Sequence, residues 1–305
     1  MARNKQPAMS RALVRRETIH GYLFMLPSLL FFVTFVIIPM FICIFTSLTD
    51  SNMHDSTMLG NFVGFKNFID LAHDKTFLRA LLNTFLIVVV SVPTVTAFSL
   101  WVASAIYKLN GKLLSLFRCV FYLPVVTGSV AVTVVWKWMY NNYYGIFNYI
   151  LKGLGIIDSN INWLGDERFA IWCIILILFT TSVGQPIVLY VSALGNVDTT
   201  LIEAAKVDGA TDLQVFWKIK WPQMMPTTLY ILVITTINSF QCFALIQLLT
   251  SGGSGTNTVM YYIYYTAFKL TEQNGHFGYA NAMGVILAIF IGLLSALQFK
   301  LAKEK

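Results

Sequence analysis

Long stretches without a single charged side chain constrain this chain more than any other feature. Tyr22–Leu48, Ala80–Tyr107, Cys119–Trp136, Phe169–Val197 and Phe277–Phe299 contain no Asp, Glu, Lys or Arg, and a sixth such run extends from Trp221 to Phe268. A helix needs roughly 20 apolar residues to cross the hydrocarbon core of a bilayer. The sixth run exceeds one crossing and is interrupted by Ser251-Gly252-Gly253-Ser254-Gly255. The pattern predicts an all-α integral membrane protein with six transmembrane helices, near residues 20–48, 78–107, 114–139, 168–195, 227–249 and 279–301. Composition agrees. The 305 residues are 57% hydrophobic and 11% charged, with a mean hydropathy of +0.68, whereas soluble domains carry about 25% charged residues. That argues against a water-soluble globular enzyme.

The net charge of +7 invites a nucleic-acid reading, but its placement points elsewhere. With both termini in the cytoplasm, the inner segments hold Arg3, Lys5, Arg11, Arg15, Arg16, Lys108, Lys112, Arg118, Lys206, Lys218, Lys220, Lys300, Lys303 and Lys305, which is 14 of the 21 basic residues. This is the positive-inside bias, so the basic N-terminus reads as a topology anchor and no nucleic-acid partner is expected. The first apolar run is longer than a signal-peptide core and no small-residue cleavage site closes it, so an uncleaved first helix is expected. Cys43, Cys119, Cys173 and Cys242 fall inside the predicted spans without CxxC or Cys/His ligand spacing, so neither disulfides nor a metal site are indicated. His20, His54, His73 and His276 fall at helix ends or outside.

Polar residues inside the spans cluster in two places. Thr180, Thr181, Ser182 and Gln185 accompany Gly184 and Pro186 in the fourth helix, and Asn238, Ser239 and Gln241 accompany Phe240 and Phe243 in the fifth. Neutral amides and hydroxyls beside aromatic faces suit a polyhydroxylated solute. The same residue types also glue membrane helices together through interhelical hydrogen bonds, and both readings stand at this point. No charged residue is expected near the middle of a span, which weakens ion coupling and proton relay. The outer segments contribute Asp55 and Asp74 (in 49–77), Tyr140, Tyr143, Tyr144 and Trp163 (in 140–167), and a tyrosine-rich stretch, 261–265. The aromatics are expected in a membrane-interface belt or, for 261–265, on a surface that meets a receptor.

The longest inner connection, about 198–222, is the most informative segment. Thr200-x-x-Glu203 predicts a capping box opening a short helix, and Gly209 supplies the left-handed residue that ends it. Thr211-x-x-Gln214 predicts a second box, and Pro222 is expected to stop the second helix. Ala204, Ala205 and Ala210 present small side chains between Asp198, Glu203, Asp208 and Asp212. An interfacial amphipathic connector and a docking element for a partner protein are both compatible with these features.

Glu203-Ala204-Ala205 followed by Gly209, Ile219 and Pro222 resembles the EAA loop of permease subunits in bacterial ATP-binding-cassette importers. Trp221 stands where that family usually has Leu. The likeness extends along nearly the whole chain, through Gly21–Pro27, Gly64–Phe68, Asn83-Thr84, Leu123-Pro124 with Trp136, and Leu248–Gly253. It is most similar to the first permease of the carbohydrate-uptake group, of the maltose, multiple-sugar and glycerol-phosphate type. The resemblance implies the type I permease fold, with residues 1–77 forming the N-terminus, first helix and outer segment, and 78–305 a five-helix core with the coupling loop. It implies a bacterial plasma (inner) membrane location. Expected partners are a second, dissimilar permease, a dimer of ATPase subunits docked on the loop, and an extracellular substrate-binding protein that delivers a carbohydrate. The implied coupling residues are Glu203, Ala204, Ala205, Asp208, Gly209, Ala210, Ile219 and Pro222. Ser182, Gly184, Gln185, Asn238, Phe240, Gln241 and Phe243 are the candidate pathway residues. The chain carries no GxxxxGK[ST] phosphate cradle, so it is expected to be no enzyme and to bind no cofactor, with ATP and Mg held by the ATPase. Glycerol phosphate or another polar solute is the alternative cargo, and a self-sufficient secondary transporter the alternative mechanism.

Overall fold

The computed structural model describes residues 11–52, 59–268 and 275–303; Arg3, Lys5, His54, Asp55 and Lys305 lie outside the described residues. The described residues are almost entirely helical. In order they form α1 (Arg11–Phe32), α2 (Ile38–Thr46), α3 (Lys66–His73), α4 (Lys75–Ile106), α5 (Gly111–Val126), α6 (Ser129–Met139), α7 (Ile146–Gly153), α8 (Ala170–Ser182) and α9 (Gly184–Gly195). Then follow α10 (Thr199–Val207), α11 (Asp212–Val215), α12 (Trp221–Phe240), α13 (Ala244–Leu249), α14 (Val259–Phe268) and α15 (Phe277–Lys303). Four helical segments are long and apolar enough to cross a membrane: Glu17–Thr46, Lys75–Ile106, Asp212–Leu249 (broken at 241–243) and Phe277–Leu301. Two bent pairs, α5 with α6 and α8 with α9, bring the number to six if each pair makes one crossing.

Two of these rods run through prolines by widening. The π turn Val33–Ile37 joins α1 to α2 just before Pro39, and the π turn Phe216–Lys220 joins α11 to α12 just before Pro222. A proline lacks the N–H for the helical ladder, and its ring collides with the carbonyl four residues back. Those carbonyls belong to Phe35 and Lys218, both inside the π turns, where the wider coil moves them aside. Pro222 therefore does not stop the second loop helix, contrary to the sequence expectation. Lys220 at the junction keeps helical dihedrals.

α4 is the central pillar, packing against α8, α9, α12 and α14. Near the end that carries the 198–222 connection, Val95, Val102, Ile187, Tyr190, Met224 and Ile231 form one buried cluster. At the opposite end, Ile87, Ile174, Ile177, Leu245, Ile246 and Tyr261 form another. Tyr261 is buried within α14, so the tyrosine-rich stretch is a packed helix and not only a surface. Arg118, read from the sequence as part of an inner segment, lies inside α5, about 10 Å from that helix's first residue at 1.5 Å per residue.

The end opposite the 198–222 connection is tied by polar contacts. Asp74 caps α4, accepting from the backbone N–H of Thr76 (2.8 Å) and Phe77 (3.3 Å). Its other oxygen accepts from the hydroxyls of Tyr262 (2.8 Å) and Tyr279 (3.1 Å). Burial alone would raise this carboxyl's pKa, but the hydrogen bonds from Tyr262, Phe77, Thr76 and Tyr279 together hold it below its ordinary value. Asn83 donates to the carbonyls of Gly255 and Asn257, both at 2.8 Å, and pins the glycine-rich turn against α4.

Asp74→Ala removes a cap and strands two tyrosine hydroxyls, so it should destabilise the protein by about 1–3 kcal/mol. Because the folded-state pKa is depressed, Asp74's contribution is complete above the unfolded value near ~3.9 and is lost as pH falls through the folded value. Denaturation in detergent as a function of pH, wild type against Asp74→Asn, checks both statements.

Candidate functional site

Two breaks in helical backbone line one cavity, and a bend in a third helical pair lies behind it. α5 and α6 meet at 95° across Thr127 and Gly128, and α8 and α9 are bent by 41° at Val183. α12 ends at Phe240 and α13 begins at Ala244, leaving Gln241, Cys242 and Phe243 between them. A hydrocarbon surrounding does not tolerate such backbone, which survives at membrane depth only where protein covers it or water lines it. The cavity encloses about 320 Å³ and is lined by Pro124, Val125, Thr127, Ser129, Thr181, Gln241, Cys242 and Phe243, with apolar Val132, Leu178, Ala244 and Leu245. Its lining carries no charged side chain.

Two of the hydroxyls on its wall, those of Thr127 and Thr181, are already committed as donors. Thr127 donates to the Leu123 carbonyl at 2.8 Å, and Thr181 lies 3.0 Å from the carbonyls of both Ile177 and Leu178. Their oxygens remain able to accept. Gln241 is exposed, and its side-chain amide makes no hydrogen bond among the described residues. The Phe243 ring packs against Tyr264 with centroids 4.9 Å apart. The wall thus offers an amide, acceptor oxygens and an aromatic face.

Of the seven pathway candidates, Gln241 and Phe243 line the cavity. Gly184 sits directly behind it, where a Cβ would strike the Phe121 carbonyl oxygen and come within 2.8 Å of Val125 Cγ2. Its missing side chain lets α5 lie against α9 and sets the Val125 wall. Ser182 is half-buried, Gln185 and Asn238 are exposed, and none of the three is in the lining. Phe240 is 0% exposed and packs edge-on against Phe85 at 5.5 Å, between α4 and α15. The sequence reading missed Thr127 and Ser129. The triplet Thr127-Gly128-Ser129 just after Pro124 was the available signal, since such residues punctuate helices.

The second feature is the 198–222 connection. α10 is capped by Asp198, which accepts from the N–H of Thr200 (2.9 Å) and its hydroxyl (2.7 Å). The expected box on Thr200 and Glu203 is absent, because the helix begins at Thr199 with Asp198 as its cap and Thr200 already lies in the first turn. Those two bonds from Thr200 also lower the Asp198 pKa. α10 ends in a Schellman motif: Gly209 takes φ +81°, its N–H meets the Lys206 carbonyl at 3.1 Å, and the Ala210 N–H meets the Ala205 carbonyl at 2.9 Å. The box on Thr211 and Gln214 forms reciprocally, at 2.9 and 3.3 Å. Lys206 and Asp212 form an ion pair at 3.3 Å across the turn.

These local bonds hold a stiff corner whose surface is apolar. Val207 is 88% and Leu213 69% exposed, and Leu201 and Trp217 are exposed beside them. Glu203, Ala204, Asp208, Gly209 and Pro222 are exposed, while Ala205, Ala210 and Ile219 are half-buried. Lys220 donates to the Tyr107 hydroxyl at 2.7 Å and lies 5.0 Å from its ring, tying the loop to the end of α4.

Gly184→Leu forces a side chain into the α5–α9 contact, and overpacking of this kind should cost about 1–3 kcal/mol. The expected readout is a lower unfolding midpoint in detergent, accompanied by loss of function; Gly195→Ala, where a Cβ meets nothing within 4 Å, serves as the neutral control.

Comparison with known proteins agrees with this architecture. The chain is 30% identical over 298 residues to the lactose transport system permease protein LacF of Rhizobium radiobacter, covering 96% of this chain and 97% of that one. It is 31% identical over 287 residues to the multiple sugar-binding transport system permease protein MsmF of Streptococcus mutans, covering 93% and 95%. Its fold matches a crystal structure of a bacterial alginate ABC transporter in complex with an alginate pentasaccharide-bound periplasmic protein, with a TM-score of 0.78 at 22% identity over 93% of this chain and 94% of that one. Residues 56–303 match the family described as binding-protein-dependent transport system inner membrane component. The chain belongs to that family, as a membrane-embedded ABC transporter permease.

Proposed function

We propose that this chain forms half of the translocation pathway of an ATP-driven importer that takes up a carbohydrate. Six crossings, with the broken pairs α5–α6 and α8–α9 as single spans, put both termini and the 198–222 loop in the cytoplasm. A second, dissimilar permease covers the exposed amides Gln185, Asn238 and Gln241. Amides on the outside of an apolar helix bundle face a partner or water, not lipid. An extracellular substrate-binding protein delivers the solute from the opposite side. An ATPase dimer docks on the 198–222 loop and carries the ATP and Mg.

One observation carries the coupling. α11, the π turn and α12 are one continuous helical rod from Asp212 to Phe240, about 43 Å at 1.5 Å per residue. One end is the stiff apolar corner at Val207–Leu213, and the other is the break at Gln241–Phe243 in the cavity wall. Movement imposed on the corner by a closing ATPase pair is delivered through that rod to the cavity. Ala204, Ala205 and Ala210 allow close backbone approach of the docked subunit, Glu203 and Asp208 supply charge for pairing, and Gly209 fixes the corner. In the cavity, Gln241 hydrogen-bonds solute hydroxyls while Phe243 covers the apolar face of a sugar ring. Names such as lactose and multiple sugar in the relatives support a carbohydrate, and the uncharged lining disfavours a fixed site for glycerol phosphate.

Gly209→Pro and Glu203→Lys should each leave membrane insertion intact while reducing solute uptake by roughly tenfold or more, the scale of losing a well-packed docking contact. Uptake into liposomes containing the complete complex, together with co-purification of the ATPase, tests this. Normal uptake with normal ATPase association in either variant removes the docking assignment, and uptake by this chain alone identifies a self-sufficient transporter.

A further inference from the structure

Arg118 is a charge inside a helical span that has no partner among the described residues. It lies in the third turn of α5, its Nε is buried without a hydrogen-bond partner, and the residue makes no hydrogen bond or ion pair among the described residues. None of α4, α5, α8, α9 and α12 contains an Asp or Glu, so no neighbouring span can neutralise it. An ionisable group inside a membrane helix is expensive to keep, and such groups mark sites of function.

Its position on the helix says where it acts. Leu114, Arg118, Phe121 and Val125 occupy one face of α5, at offsets of four, seven and eleven. Leu114 and Phe121 pack into the cluster shared with α4, α9 and α12. Phe121 and Val125 meet Gly184 of α9, and Val125 is part of the cavity wall. Arg118 therefore lies on the cavity-lining face, two helical turns from Val125 and toward the cytoplasmic end in the topology proposed above. A solute that leaves the uncharged cavity along this face meets the guanidinium next.

The geometry points to Arg118 as a solute-handling residue of the exit half of the pathway, donating hydrogen bonds to the oxygen atoms of a polyhydroxylated, neutral or anionic solute and disfavouring cationic ones. The assignment rests on the importer reading and deepens it. A guanidinium offers five N–H donors in a planar fork that matches adjacent hydroxyls or a carboxylate. An oxygen-rich solute supplies, in passing, the acceptors that the chain itself withholds. Between passages the group stays without a fixed counterion, which keeps the solute from being trapped by a site already tuned to hold it.

The complete complex, reconstituted in liposomes with its ATPase, second permease and solute-loaded receptor, tests this with Arg118→Leu and Arg118→Lys. The expected result is receptor-stimulated ATP hydrolysis within about twofold of wild type for Arg118→Leu, with uptake per ATP reduced roughly tenfold, the order for losing charge-assisted hydrogen bonds. Arg118→Lys should recover part of that uptake, and Arg118→Leu should narrow the preference for a neutral sugar over its amino-sugar analogue. Normal uptake by Arg118→Leu overturns the assignment. So does a parallel fall in ATP hydrolysis, uptake and thermal stability, which marks a structural role. A defect seen only in vesicles containing anionic lipid also overturns it, and places a lipid phosphate on Arg118. Failure of the importer reading has its own signature, a wild-type complex without receptor-stimulated ATP hydrolysis, and it removes both conclusions together.

Discussion

Every backbone N–H and C=O placed in hydrocarbon must find a partner within the protein, and the rest of this structure depends on that requirement. It explains why the described residues are almost all helix, and why the exceptions are so localised. Where a proline would break a rod, a π turn spreads the coil and keeps the chain helical through Pro39 and Pro222. Where the helices break, at Thr127–Gly128 and Gln241–Phe243, the breaks meet around one cavity, and the bend at Val183 lies just behind its wall. Non-helical backbone costs least when grouped in one place that water or solute can reach.

The same requirement separates stiff parts from adaptable ones. The rod from Asp212 to Phe240 is continuous, and its loop end is fixed by a Schellman turn, a reciprocal capping box and an ion pair. The α5–α9 contact at Gly184 is close because no side chain intervenes. By contrast, the cavity wall is assembled from several elements, so a small shift of one of them changes its shape without unfolding any helix.

Much of this was legible from local pattern. The charge-free runs marked the spans, and Gly209 and the Thr211–Gln214 box appear where spacing placed them. Capping depends on residues three or four apart, and a sequence displays that directly. The errors have equally local causes. Asp198, not Thr200, is the cap, because its carboxylate takes the Thr200 N–H and starts the helix two residues earlier than the box required. Phe240, grouped with Gln241 and Phe243 by proximity in the chain, is the last residue of α12 and points into the α4–α15 core, whereas Gln241 and Phe243 lie in the break that follows.

What the amino-acid sequence determined by itself was the solvent this protein lives in, the approximate position of its spans, and the shape of the 198–222 loop. Transfer free energy accumulates residue by residue, and helix caps close over a few residues, so both are written in short windows. Only the tertiary structure decided that the breaks at Thr127–Gly128 and Gln241–Phe243 share one cavity, that Thr127 and Ser129 belong to it, and that Arg118, two helical turns from its wall, has no counterion among the described residues. Each of those facts depends on which helices lie together, and that is settled by packing at positions such as Gly184, many residues away in the chain.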